Sequence, residues 1–157
     1  VKIQKIKLSK KICSLFERSS ILFYTFQQRD AGYELRKQFL NFKNNEAKLL
    51  SIKDMVNKSI NCMQSSQIKI LGEILDKSWE LKSQMSNSVS NDVINNNYKI
   101  AKKNGVYGGK VLGAGNGGFF FMLANPKDHK KIKKKLITFH DVKFSINYNG
   151  TEVIFKS

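Results

Sequence analysis

The order of apolar and polar positions predicts the first elements of the chain. A run of β-branched and aromatic residues, Ile21 to Phe26, is typical of a buried strand. Upstream, Ser9 precedes a short stretch of mixed polarity and predicts a capped helix that ends near Phe16. The pattern therefore begins with a short helix and a buried strand.

The middle of the chain has a helical period. From Gly32 to Met63, apolar residues recur at steps of three, four or seven. This spacing indicates one face of a long helix, or of two helices broken near Asn44 and Asn45. The same period predicts a second helix from Ser66 to Met85. These segments are predicted to be helical throughout.

The period changes near Gly105. A third helix is predicted over residues 91–104, with Ser90 or Asn91 as its cap and Gly105 at its end. Beyond it, residues 108–115 and 117–124 predict two strands around a glycine-rich turn. The chain therefore passes from helices to strands in its last third.

The C-terminal segment carries the signals of one more helix and a hairpin. Asn125, Pro126 and Asp128 supply a cap, a first-turn proline and a first-turn acid for a helix that ends near Leu136. Residues 142–148 alternate between apolar and polar, and Asn149-Gly150 then predicts a turn to a partner strand at 153–155.

This order of elements predicts the fold class. A strand, helices, two strands, a helix and a final strand are typical of an α+β domain. We expect a ferredoxin-like antiparallel sheet with helices packed on one side. The length of 157 residues and the 41% hydrophobic content indicate a single domain over residues 1–157.

Composition excludes several classes of protein. The longest uninterrupted apolar run, residues 119–124, is far shorter than the roughly 20 residues that cross a bilayer, so we expect no membrane association and a cytoplasmic protein. Cys13 and Cys62 lie far apart and have no CxxC partner, and His129 and His140 are the only histidines. A disulfide framework or a metal site is therefore not expected.

The net charge of +16 raises the possibility of a nucleic-acid partner. Only three of the 28 basic residues are arginine, however, and the lysines are spread along the whole chain. Arginine is the residue that makes bidentate contacts to bases and phosphates. A solvated lysine-rich surface is therefore favoured, and a basic nucleic-acid-binding module is the alternative.

Six of the ten glycines lie in residues 108–126, and four of them surround Ala114 and Asn116. This cluster does not match a dinucleotide-binding fingerprint, because it joins two strands, and it does not match a Walker loop, because no GK[ST] follows. It does match a tight turn whose backbone N–H groups approach an anion or brace a loop that does so. A simple hairpin would need fewer glycines.

The string "GGKVLGAGNGGFFFML" resembles the third signature motif of the GHMP kinases, which are named for galactokinase, homoserine kinase, mevalonate kinase and phosphomevalonate kinase. The strings "LGEILDKSWELKSQMSNSVSNDVINNNYKIAKKNGVYGGK", "LFERSSILFYTFQQRDA" and "VKFSINYNGTEVIF" resemble, in the same order, the branch that phosphorylates D-glycero-D-manno-heptose 7-phosphate. The resemblance implies the C-terminal domain type of this family. It covers essentially the whole chain.

Two positions depart from the family's pattern, and two motifs are missing. Asn116 and Phe26 stand where the family usually has glycine. No segment resembles the first motif or the second, phosphate-cradling motif, and the catalytic aspartate of the N-terminal half has no counterpart. The resemblance therefore implies an absent N-terminal ATP-binding domain and a chain that is inactive alone. The complete kinase would use ATP and Mg²⁺, and this chain alone would bind no cofactor.

The resemblance also implies the candidate site. The loop Gly113, Ala114, Gly115, Asn116, Gly117 and Gly118 is expected to line one wall of a cleft whose opposite wall belongs to the absent half. Arg29 is the best candidate for binding the phosphate of a sugar phosphate, since guanidinium binds phosphate bidentately. Thr25, Lys110 and Lys82 are further candidates, each with a purely structural alternative.

The expected partners are the sugar phosphate and either an N-terminal kinase half or a second copy. A separately encoded half should expose an apolar flank and tend to dimerise. An anion-sensing domain that uses the same glycine-rich turn is a further alternative, which the sequence does not separate from a kinase half.

Overall fold

The helices and strands follow one another in nearly the predicted order. The computed structural model describes residues 6–27, 30–147, 153 and 155. Its helices are α1 (Lys10–Ser19), α2 (Ala31–Leu40), α3 (Phe42–Gln64), α4 (Ile68–Ser83), α5 (Asp92–Lys103) and α6 (His129–Lys135). Its strands are β1 (Ser20–Tyr24), β2 (Val106–Val111), β3 (Phe119–Ala124) and β4 (His140–Val142), and a 3-10 turn at Pro126–Asp128 leads into α6.

The predicted caps begin the helices where short polar side chains accept backbone hydrogen bonds. The Ser9 hydroxyl accepts from the N–H of Ile12 at 3.3 Å, ahead of α1. The Asn91 side chain accepts from the N–H of Ile94 at 3.0 Å, ahead of α5. Each cap satisfies a donor that has no partner inside the helix.

The four strands form one antiparallel sheet in the order β2-β3-β1-β4. The predicted α+β class and antiparallel sheet are confirmed. Because β3 lies between β1 and β2, the loop that joins β2 to β3 opens at the end of the sheet where β1 ends. Tyr24, the last residue of β1, lies opposite Phe119, the first residue of β3.

Apolar residues of β3 alternate between two cores. Phe120 and Met122 lie in one buried cluster, which also receives side chains from β1, α4, α5 and α6. Leu123 lies in a second cluster against α3 and α4, and the Phe121 ring lies 5.9 Å from the Phe16 ring of α1. Each large side chain buried in this way contributes about 1.5–3 kcal/mol. Helices therefore contact both faces of the sheet, which refines the predicted arrangement on one side.

The break in the long helical segment lies at Asn41 instead of Asn44–Asn45. Asn41 has φ −96° and ψ 14°, outside helical geometry. Asn45 is buried within α3, where its side-chain amide donates to the Met85 carbonyl at 2.9 Å. A polar residue that suggests a break in the sequence is therefore a tertiary contact inside a helix.

The predicted strand over residues 142–148 is wrong for most of its described length, because β4 is His140–Val142 and shares only Val142 with it. β4 ends at Val142, and residues 143–147 leave the sheet. The N–H of Ile146 donates to the Glu17 carboxylate at 3.0 Å, so α1 replaces a strand partner there. Val153 and Phe155 are exposed and lie outside any strand, while the predicted turn at Asn149-Gly150 lies outside the described residues.

Within the part of the chain that the structure describes, no helix has both the length and the apolar character that crossing a membrane requires.

Candidate functional site

The glycine-rich cluster forms the loop between β2 and β3, and its backbone explains its composition. Positive φ angles occur at Gly113 (72°), Gly115 (110°), Asn116 (59°), Gly117 (151°) and Gly118 (82°). Residues other than glycine adopt a positive φ at a cost of roughly 1–2 kcal/mol. Five such residues in six positions are therefore feasible only for a sequence rich in glycine.

Two of these glycines also lie against other backbone segments. A Cβ at Gly115 would lie 2.6 Å from the Val89 carbonyl oxygen, and a Cβ at Gly117 would collide with the Gln27 carbonyl oxygen. Val89 lies between α4 and α5, and Gln27 follows β1. The loop is therefore packed between two other connecting segments of the same domain.

Asn116 shows how one glycine of the family's motif is replaced here. Its φ of 59° is in the left-handed region that asparagine tolerates better than most residues. Its N–H donates to the Val89 carbonyl at 2.6 Å, and its side-chain oxygen accepts from the Asn91 amide at 2.9 Å. Because Asn91 is also the cap of α5, the replacement ties the loop to the start of that helix.

Thr25 holds the other end of the loop. It is buried, and both its N–H and its hydroxyl donate to the Gly118 carbonyl at 2.9 Å. The N–H of Gly118 donates in turn to the Gln27 carbonyl at 3.2 Å. Between them, Phe26 has a φ of 56° and is 60% exposed. Within the described residues, the hydroxyl of Thr25 thus serves the loop's backbone.

The two candidate lysines, Lys82 and Lys110, have different surroundings in the structure. The Lys82 ammonium, from the end of α4, donates to the Gly113 carbonyl and so braces the first residue of the loop. Lys110 is half-buried in β2 opposite Phe121, two positions before Leu112. Among the described residues, no hydrogen bond involves its ammonium. Arg29 lies outside the described residues.

Solvent reaches the outer edge of the loop. Gly113 is exposed and Asn116 and Gly118 are half-buried, whereas Ala114, Gly115 and Gly117 are buried. The loop is therefore not sealed under side chains of the rest of the described chain.

Exposed aromatic side chains adjoin the loop. Phe119 is 43% exposed, and its ring lies 5.4 Å from that of Tyr24. The Phe26 ring lies 5.0 Å from Tyr24 and 6.2 Å from His140. We call these four residues the aromatic patch. It was not expected from the sequence, because its members come from β1, β3, β4 and a turn, and only the pairing of the strands brings them together.

Asp76 of α4 and Tyr98 and Lys102 of α5 form a polar cluster. It covers the edge of β2 that faces away from β3. Tyr98 donates its hydroxyl hydrogen to Asp76 and accepts from the Gly109 N–H at 3.0 Å. Lys102 donates to Asp76 and to the Tyr107 carbonyl, both at 2.7 Å. Burial, followed by the hydrogen bond to Asp76, raises the pKa of Tyr98 above its ordinary range. Tyr98 therefore stays protonated and acts as a fixed donor to Asp76.

The described residues include no group of three or more His, Cys, Asp or Glu side chains placed to hold a metal ion. Among the described residues, Lys82 is a charged side chain that bonds to the loop, and the loop's own side chains are the Ala114 methyl and the Asn116 amide. A lysine and an amide at the loop can bind or brace an anionic group.

Comparisons with known proteins find relatives of this chain. The family model for the C-terminal domain of GHMP kinases matches residues 59–141, more than half of the chain. Over 136 residues the chain is 32% identical to D-glycero-alpha-D-manno-heptose 7-phosphate kinase from Campylobacter jejuni. That match covers 85% of this chain and 40% of the relative, so the chain spans about two fifths of the relative's length.

Two solved structures share the fold. A Campylobacter jejuni protein described as a sugar kinase matches with a TM-score of 0.59 and 26% identity, over 93% of this chain and 42% of that one. Mevalonate kinase from Methanococcus jannaschii matches with a TM-score of 0.66 and 20% identity, over 90% of this chain and 43% of that one.

Proposed function

The chain belongs to the GHMP kinase family, in which it corresponds to the C-terminal domain, and on this premise we propose that it forms the substrate-side half of an ATP-dependent sugar kinase. The observation that carries the proposal is the loop 113–118. Five of its backbone angles are held in the left-handed region by contacts to Val89, Asn91, Thr25 and Gln27, while its outer edge stays open to solvent. A backbone fixed in this way is suited to lining a cleft.

The substrate we propose is a mannoheptose 7-phosphate, on the strength of the 32% identity to the Campylobacter jejuni enzyme. Phosphoryl transfer depends on positioning the two substrates and neutralising charge, and it needs a nucleotide cradle and Mg²⁺. This chain supplies neither the cradle motif nor the catalytic aspartate. In our proposal, an N-terminal ATP-binding domain supplies both, and the chain alone does not turn over.

The contacts support a role for some of the individual residues. In our proposal the exposed edge of the loop lines the cleft, Thr25 and Lys82 fix the ends of the loop through the Gly118 and Gly113 carbonyls, and Lys110 of β2 is a candidate contact to the substrate. Arg29 remains a sequence-based candidate for the phosphate of the sugar. The aromatic patch supports a docked domain, because solvent-exposed apolar groups beside a site mark contact surfaces.

Reconstitution tests this proposal. The purified 157-residue chain is assayed for ATP-dependent phosphorylation of D-glycero-D-manno-heptose 7-phosphate, alone and after mixing or co-expression with the N-terminal part of the Campylobacter jejuni relative. We expect ADP and a bisphosphate product only from the combination. The N-terminal part alone is the control for its own residual turnover.

Two results would overturn parts of this proposal. Turnover by the 157-residue chain alone would refute its assignment as an incomplete half. Stable association of the two parts without turnover on any sugar phosphate would refute the assignment as a substrate-side kinase domain. Phe119→Ser and Ile137→Ser form a matched pair in the association assay, since both side chains are exposed and only the first lies in the aromatic patch.

A further inference from the structure

A polar cavity of about 520 Å³ lies where the junction of α2 and α3 faces residues 84–88. Its size is within the range of ordinary small-molecule sites. Its lining includes two lysines and a set of amides and hydroxyls, among them Lys37, Lys48, Asn41, Asn44, Ser86 and Asn87, and the lining residues that the structure describes include no carboxylate. The described wall thus carries positive charge together with neutral hydrogen-bonding groups.

The two cavity lysines are positioned differently from the lysine beside them. Lys37 and Lys48 are half-buried, whereas the neighbouring Lys43 is exposed. The Lys48 ammonium donates to the Asn45 side chain at 3.0 Å and to the Gln84 carbonyl at 3.3 Å. An ammonium has three N–H donors, so these two bonds orient Lys48 and leave one donor for a ligand.

The rest of the wall is also held in place. Asn45 is only 4% exposed, and its amide bonds to the Met85 carbonyl, which fixes α3 against residues 84–88. The hydroxyls of Ser86 and Ser88 lie 2.9 Å apart and hydrogen-bond to each other. A site whose donors are fixed before binding loses less entropy when a ligand arrives.

From these observations we propose that the cavity is a binding site for a phosphate-bearing sugar or polyol, separate from the loop 113–118. Lysine ammonium groups form charge-assisted hydrogen bonds to phosphate oxygens. The asparagine and serine side chains can both donate to and accept from hydroxyl groups. In this proposal the isolated chain binds the ligand through these side chains.

Titration of the isolated 157-residue chain tests the site. The probes are mannose 6-phosphate, mannose and inorganic phosphate, each followed by calorimetry and by amide chemical shifts. We expect mannose 6-phosphate to bind at least about ten-fold more tightly than either fragment, since it engages both the lysines and the amides. Equal affinity for phosphate and mannose 6-phosphate would overturn the sugar part of the assignment.

Charge-removing variants locate the site. Lys37→Gln and Lys48→Gln should each lower the affinity by about ten-fold. Lys43→Gln, which makes the same change of net charge and lies in α3 with Lys48, should leave it within about two-fold. Lys37→Gln keeps the test valid if loss of the Lys48 contacts unfolds that variant. Equal affinities in all three variants, or no binding up to about 10 mM, would refute the site.

This result is independent of the kinase assay. Failure of reconstituted turnover would leave sugar-phosphate binding by the isolated chain unchanged. Loss of that binding would leave the proposed kinase role standing.

Discussion

At the residue scale, two departures from the family's pattern share one backbone property. Phe26 and Asn116 stand where the family usually has glycine, and both have positive φ, 56° and 59°. Asparagine tolerates this region and gains a hydrogen bond from Asn91. A phenylalanine has no such local compensation, so Phe26 carries backbone strain in exchange for its ring contacts with Tyr24 and His140.

The strain at Phe26 can be measured with two variants. Phe26→Gly and Phe26→Ala both remove the ring, but only glycine relieves the positive φ. We expect the free energy of unfolding of the glycine variant to exceed that of the alanine variant by about 0.5–1 kcal/mol. This difference already includes the greater entropy of glycine in the unfolded chain, which favours the alanine variant. Urea denaturation at fixed pH measures the difference.

The same pair of variants at Lys53, an exposed position inside α3, provides the control. There alanine should be the more stable by about 1 kcal/mol, because glycine is the poorer helix former. A glycine variant at position 26 that is no more stable than the alanine variant would contradict strain at that residue.

Gly117 is the position where the loop tolerates a side chain least. A Cβ there would collide with the Gln27 carbonyl oxygen, and its φ is 151°. Gly117→Ala should therefore lower the free energy of unfolding by at least about 2 kcal/mol, from the backbone conformation and the collision together. Gly32→Ala, in the first turn of α2, should change it by less than about 1 kcal/mol. Similar losses in the two variants, measured by urea denaturation, would contradict the close packing of the loop.

The density of glycines in residues 113–118 was enough to predict a turn of unusual backbone and a close approach. It was not enough to predict what the loop approaches. Val89 and Gln27 are distant in sequence, and neither stands out by residue type, so no local pattern marks them. Thr25 was identified from the sequence with its role open, and its contacts place the hydroxyl on the Gly118 carbonyl.

At the element scale, local patterns predicted the type of each helix and strand better than their ends. The caps at Ser9 and Asn91 were correct, because a cap depends on residues three positions away. The break at Asn41 and the early end of β4 were missed. Both depend on distant partners: Met85 holds Asn45 inside α3, and Glu17 takes the N–H of Ile146 away from the sheet.

The edge of β2 illustrates an element held by side chains of its neighbours. An edge strand presents backbone groups without strand partners. Here Tyr98 and Lys102 satisfy the Gly109 N–H and the Tyr107 carbonyl, and Asp76 joins the two side chains. The cluster therefore closes the edge of the sheet and fixes α5 against it.

Tyr98→Phe tests this closure. The change removes the acceptor of the Gly109 N–H and the donor to Asp76, so we expect a loss of about 1–3 kcal/mol in the free energy of unfolding, with faster amide exchange at Gly109. Tyr33→Phe, at a 54% exposed position of α2, is the matched control and should have little effect. An unchanged exchange rate at Gly109 would show that the hydroxyl does not protect the edge.

At the scale of the whole molecule, exposed apolar groups and net charge act in opposite directions on association. We call the exposed apolar side chains of α2 and α3 the helical flank. Its members are Leu35, Phe39, Leu40, Phe42, Leu49, Leu50 and Val56, between 36% and 77% exposed. The sequence predicted such a flank for a separately encoded half, although it could not show which part of the helical stripe stays uncovered. The net charge of +16 opposes the approach of two copies.

At about 0.1 M salt, the repulsion between exposed charges is largely screened beyond about 10 Å, whereas apolar contacts persist. Self-association of the isolated chain should therefore increase as the salt concentration is raised. Phe39→Ser and Leu40→Ser should weaken this association without destabilising the fold, since these side chains are 77% and 76% exposed. Ile137→Ser, at an 84% exposed position outside the helical flank, should leave it unchanged. Sedimentation at two salt concentrations measures all three variants. If the chain stays monomeric at every salt concentration, the helical flank is not an association surface between copies, and exposure alone does not explain its apolar character.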